Sequence, residues 1–117
     1  MKARALLTLP GLCLLMPLVS VGQNSVVDAP RAGELVRMVR QDCGSCHGMR
    51  LTGGLGPALT PAALHDMPLD SLAATIYHGR PGTPMPPWRA MVNENEARWI
   101  AQRLQQGFPE EPAGVSR

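Results

Sequence analysis

Three stretches of this chain repeat apolar residues at helical spacing, and glycine and proline break the pattern between them. In the first, from about Pro30 to Gln41, Leu35, Val36, Met38 and Val39 share one side, with Glu34, Arg37 and Arg40 outside. Asp28 stands where a cap is needed, and Pro30 is tolerated because an N–H at the start of a helix has no intrahelical partner. The second stretch, Leu69 to His78, turns Leu72, Ala73 and Ile76 inward and stops at Gly79. The third opens with Asn93 followed three residues later by Glu96, a capping-box signature. Its stripe is Ala97, Ile100, Ala101 and Leu104, and Gly107 ends it.

The segments between are irregular. Gly48 to Pro68 has little periodicity; Thr52 to Pro57 reads as a loop by composition, and Pro61–Leu64 as a single helical turn. Arg80 to Trp88 contains four prolines, which excludes helix and central strand alike. From Pro109 onward the tail is polar and is expected to be loose. The pattern predicts an all-α domain of three main helices joined by Gly/Pro-rich loops.

The N-terminus changes the picture. Lys2 and Arg4 precede an apolar stretch, Ala5 to Val21, and Ser20 and Gly22 are small residues placed for cleavage after Gly22. The stretch is at the short limit for a membrane span and carries Pro10 and Pro17, so residues 1–22 are expected to be a cleaved secretory signal and residues 23–117 the mature domain. Cys13 is preceded by Leu12, not by a small residue, which argues against a lipoprotein signal. Cleavage would remove Cys13 and leave no stable membrane association. After residue 22, arginines and carboxylates balance one for one, and no basic run is interleaved with aromatics, so nucleic acid is not an expected partner.

Cys43-Gly44-Ser45-Cys46-His47 carries the chemistry. Two thiols three residues apart followed at once by an imidazole form the attachment pattern of a c-type haem. Each sulfur can add to one porphyrin vinyl group, and the histidine then lies beneath the iron. A thioredoxin-like reading needs a strand before the first cysteine, whereas a helix is expected to end there. A structural zinc site needs further ligands, and no second Cys or His pair stands at a suitable spacing. A disulfide between Cys43 and Cys46 would close a very small loop. Export agrees with haem attachment outside the cytoplasm, where unprotected thiols tend to oxidise. The aromatics are limited to Tyr77, Trp88, Trp99 and Phe108, so a bound haem would supply much of the core.

A six-coordinate iron takes a second ligand from Met49, Met67, Met85, Met91, His65 or His78. Met49 is too near His47 to reach around the ring. Met67 and Met91 lie at helix edges and read as flexible core fillers. Met85, between Pro84 and Pro86, is held in an extended loop and is the preferred ligand, in keeping with His/Met ligation in such cytochromes. His65 and His78 remain the alternatives, giving a bis-His haem of lower potential.

The series Cys43-Gly44-Ser45-Cys46-His47-Gly48, Gly56-Pro57, Gly79, Met85-Pro86 and a C-terminal amphipathic helix resembles a class I cytochrome c over essentially all of residues 23–117. The resemblance implies that the helices and loops wrap around one covalently attached haem c per chain. It also implies that the Pro57 carbonyl accepts the proton of the second His47 ring nitrogen and that the first and last helices cross. Many family members have a Gly and an aromatic at that crossing; here Leu35 and Val39 stand there, with Trp99 opposite. The run His78 to Trp88 and the short length are similar to the small NirC-type cytochromes, which accompany the cytochrome cd nitrite reductase of denitrifying bacteria.

That resemblance implies a periplasmic one-electron carrier, not an enzyme, with nitrite reductase as a redox partner and an upstream electron donor. Two other roles compete: an assembly factor for the reductase's haem d, and a haem-based sensor with a labile distal Met. Arg50, Arg80 and Arg89 are read as haem-propionate partners, a docking rim or solvated surface residues; Trp88 either bonds a propionate or packs on the ring edge.

Overall fold

A computed structural model describes residues 26–110; the expected export segment and the tail from residue 111 lie outside the described residues. Helix α1 spans Ala29–Met38, and the Asp28 side chain accepts from the Arg31 N–H at 2.9 Å as its cap. The helix does not end at Gln41. It widens into one π-helical turn, Val39–Cys43, in which the Gly44 N–H reaches back to the Val39 carbonyl, and then resumes as α2, Gly44–His47. Such wide turns recur at functional sites because they re-aim the residues that follow.

After an irregular loop come α3 (Pro61–Leu64), α4 (Leu69–His78) and α5 (Glu94–Gln106). Thr60 caps α3 through its hydroxyl, and Asn93 with Glu96 forms the complete capping box of α5. Among the described residues there is no β-strand.

One core joins the helices. Leu35, Val36 and Val39 from the first helix meet Leu72 and Ile76 from α4 and Ala97, Trp99, Ile100, Ala101 and Leu104 from α5. Leu35 and Val39 are wholly buried, and Trp99 lies in the same cluster. Helix α4 packs most extensively on α5, and Arg98 pairs with Asp70 across that contact. Gln105 bonds the Leu64 and Met67 carbonyls, fastening the turn after α3 to α5.

Two expectations need correction, and one core residue adds to them. Arg40 is not outside but buried. It follows Val36 by four residues and so shares its face. Its guanidinium lies over the Phe108 ring and donates to the carbonyls of Phe108 and Pro109 at 2.8 and 2.9 Å. The chain is therefore held beyond the end of α5 as far as Pro109. Met67 and Met91 are exposed and fill no core. Leu51, in the stretch without periodicity, is a core residue although it adopts a left-handed backbone conformation with φ of 60°. That conformation costs roughly 1–2 kcal/mol, which burial of a leucine side chain, about 1.5–3 kcal/mol, offsets.

Candidate haem site

Cys43 ends the wide turn, and Cys46 and His47 follow directly on α2. Cys43 is half-buried and Cys46 exposed, both as free thiols. Burial, with a smaller push from the Asp42 carboxylate, raises the Cys43 thiol to about 11, so it stays protonated and neutral at physiological pH. The Ser45 hydroxyl donates to the Asp42 carbonyl at 2.7 Å and braces the turn.

The following loop folds back beneath this helix. Gly53 and Gly56 N–H groups donate to the His47 and Cys46 carbonyls at 2.8 Å, satisfying two acceptors left open at the helix end. This return brings the Pro57 carbonyl to 2.7 Å from His47 Nδ1. A carbonyl only accepts, so Nδ1 carries the proton and Nε2 keeps its lone pair for a metal. Gly56 lies against the ring: a Cβ there would stand 2.8 Å from Cε1 and Nδ1.

This donor set suits a c-type haem. Two thiols and an imidazole with one nitrogen committed to a carbonyl lie within five residues, and the residue packed against the ring, Gly56, has no side chain. It does not suit zinc, since no group of three or more His, Cys, Asp or Glu among the described residues converges as a metal site.

Met85 lies in the loop after α4 and is half-buried. The Arg80 N–H donates to the Met85 carbonyl at 3.2 Å, closing a turn over residues 80–85. Gly79, with φ of 69°, starts this loop, and a Cβ on it would fall 2.6 Å from the backbone of Pro86 and Pro87. The loop's far end is pinned where Trp88 and Arg89 N–H groups donate to the Ile76 and Tyr77 carbonyls at 3.2 Å.

The other candidates have these surroundings. Met49 is exposed and lies close to Gly44. His65 has Nδ1 at 2.8 Å from the Ala62 carbonyl and Nε2 at 3.0 Å from Asp66. His78 is exposed and meets the Tyr77 ring edge-on at 4.9 Å between centroids. The Trp88 side chain is half-buried and packs on the core. Arg50, Arg80 and Arg89 are exposed and make no ion pair among the described residues. Sequence reasoning misses Thr83 in the Met85 loop, whose hydroxyl donates to the Arg80 carbonyl at 2.6 Å and accepts from the Met85 N–H at 3.3 Å. Among the described residues no helix is long and apolar enough to cross a membrane.

The family profile described as cytochrome C oxidase, cbb3-type, subunit III matches residues 30–102. A cytochrome c55X of Pseudomonas aeruginosa is 58% identical over 80 residues, covering 68% of this chain and 67% of that protein. The solved c-type cytochrome NirC is 55% identical, with a TM-score of 0.69 over 70% of this chain and 96% of that one. The dihydro-haem d1 dehydrogenase NirN, solved in complex with DHE, is 34% identical, with a TM-score of 0.58, over 69% of this chain and only 17% of its own. The all-α fold around a Cys-x-x-Cys-His turn and these likenesses together make the chain a member of this c-type cytochrome family, a NirC-like small cytochrome that carries covalently bound haem and serves as an electron carrier.

Proposed function

We propose that the mature chain is a periplasmic carrier with a single haem c, freed by cleavage of residues 1–22. Cys43 and Cys46 anchor the haem, His47 Nε2 and the Met85 thioether are its axial ligands, and Pro57 orients the imidazole. The observation that carries this reading is the 2.7 Å contact between His47 Nδ1 and the Pro57 carbonyl, which fixes tautomer and ring plane in the residue next to Cys46.

The haem supplies reversible one-electron chemistry. The chain's part is to hold both ligands through the redox change, so that little rearranges, and to set the potential; a thioether raises it relative to a second histidine.

The proposed acceptor is a cytochrome cd nitrite reductase. Residues 43–65 and 71–93, which contain every proposed ligand, hold no Asp or Glu, and Arg50, Arg80 and Arg89 are exposed there. Such a surface favours encounter with an acidic patch, through a small transient contact. Stopped-flow mixing of the ferrous protein with that reductase is expected to give rapid oxidation, slowing roughly tenfold from low to high salt. No oxidation at any ionic strength removes the reductase as partner.

The likeness to a domain of dihydro-haem d1 dehydrogenase favours a second reading, a role in making haem d. Dehydrogenation releases electrons, so in that role the ferric carrier would be reduced. Reduction by such a dehydrogenase, without oxidation by the reductase, would select it.

A further inference from the structure

The loop that carries Met85 lacks the usual means of holding its shape. Pro81, Pro84, Pro86 and Pro87 donate no backbone hydrogen bond, so a ladder of N–H groups cannot brace it. Gly82 has φ of 77° and open space around it, so it adds no packing. One side chain takes over. The Thr83 hydroxyl donates to the Arg80 carbonyl at 2.6 Å and accepts from the Met85 N–H at 3.3 Å. The Thr83 N–H donates to the same carbonyl at 3.1 Å. Both lone pairs of the Arg80 carbonyl are thereby used, and the amide of Met85 is tied to the turn that begins four residues after Ile76.

We propose that Thr83 is a positioning residue for Met85: its hydroxyl latches the turn over residues 80–85 and sets how readily the thioether yields its place to an external ligand. The proposal rests on Met85 as an axial ligand. It separates two properties that one loop might otherwise couple. Gly79 and the pinned Trp88–Arg89 end place the loop; Thr83 governs exchange within it. A chain built for electron transfer gains a closed iron from this latch, and its loss would move the protein toward ligand binding.

The test uses ferric holoprotein, with cyanide and imidazole as probes. Thr83→Val keeps the shape and β-branching and removes the hydroxyl; Thr83→Ser restores it. Thr83→Val is expected to bind cyanide about tenfold faster, as befits one lost hydroxyl with two hydrogen bonds. The Met85 amide should also exchange faster with solvent, while Thr83→Ser stays at the wild-type rate. Gln105→Ala, which unties the Leu64 and Met67 carbonyls from α5 and removes no bond to residues 79–91, controls for general loosening: if it speeds cyanide binding as much at equal loss of thermal stability, the latch is refuted. Wild-type rates in Thr83→Val, or equal rates in the Val and Ser variants, refute it too. Thr83→Ala repeats the measurement should the valine variant not accumulate. A wild-type protein with no thioether-to-iron absorption, or a Met85→Ala variant with an unchanged spectrum, overturns the ligand reading itself and the latch with it. Failure of the latch alone leaves that absorption intact.

Discussion

The His47 side of the site is held by five backbone-to-backbone bonds, whereas the Met85 loop has two between its pinned ends, supplemented by one hydroxyl. Beneath His47, the N–H groups of Leu51, Gly53, Gly54, Gly56 and Leu59 all bond to carbonyls of the same short stretch, from Cys46 to Gly56. Around Met85 the corresponding internal bonds come from Arg80 and Thr83. The proposed ligands explain the contrast. An imidazole is a flat ring whose plane and tautomer must both be set from outside. A methionine side chain has three rotatable bonds and a polarizable sulfur, so it finds its place from a less rigid loop. Rigidity is concentrated where orientation carries the information.

If that is so, crowding the His47 side should cost a large share of the domain's stability. Gly56→Ala places a methyl 2.8 Å from two atoms of a ring that Pro57 already pins. Neither neighbour is a flexible chain end. Overpacking of this kind costs about 3 kcal/mol, and a domain of this size should lose roughly 15 °C in melting temperature. Thermal melts of the holoprotein, followed at a haem band, measure it. A loss of only a degree or two would mean that the ring has room to move, and the contrast between the two sides would fail.

The Met85 loop offers a graded pair. Gly79 and Gly82 both have positive φ, but only Gly79 faces backbone, that of Met85, Pro86 and Pro87. Alanine at Gly82 should cost about 1 kcal/mol from backbone conformation alone. Alanine at Gly79 adds the clash and should cost about 2 kcal/mol or more. The difference isolates how tightly the loop's start is built. Equal losses in the two variants would show that close approach at Gly79 contributes nothing.

Much of this architecture is legible in the amino-acid sequence, for physical reasons. The end of α4 and the start of α5 follow from single residues acting locally, Gly79 after the one and Asn93 with Glu96 before the other. Cys43, Cys46 and His47 are legible because the chemistry is written at fixed spacing. Arg40 is misplaced by sequence reasoning because its charge outweighs its position four residues after Val36. Leu51 escapes because one buried leucine in a left-handed turn leaves no period. The first helix stops at Gln41 only in composition, which does not distinguish a wide π turn from an end. Thr83 is illegible for another reason: its hydrogen bonds exist only once the loop has closed.

Arg31 joins the two sides and gives the smallest effect. It belongs to the helix that leads to Cys43, and it bonds the Met91 carbonyl at 2.8 Å and the Glu96 carboxylate at 2.6 Å, just beyond the Met85 loop. The hydrogen bond from Arg31 is the main cause holding the Glu96 carboxyl below its usual value of 4.5, against a smaller opposing effect of burial. A carboxyl depressed by folding stabilises the fold above its unfolded value, and that contribution is lost as pH falls through the folded one. Stability from this clasp is therefore complete at about pH 7, begins to fall near the ordinary carboxyl value and is lost as pH drops through the lower folded one. Because the guanidinium is about one-third exposed, the contribution is about 0.5–1 kcal/mol. Glu96→Gln still accepts the Asn93 N–H that Glu96 accepts at 2.9 Å, so the α5 cap survives. Melts at about pH 7 and about pH 3 should then show the wild type losing roughly 3–5 °C more than the variant. Other carboxylates titrate in both proteins and drop out of the difference. Equal losses would mean that the helix before Cys43 and the segment after Met85 stay together without this ion pair, and that the core between Leu35, Val39 and Trp99 suffices to couple them.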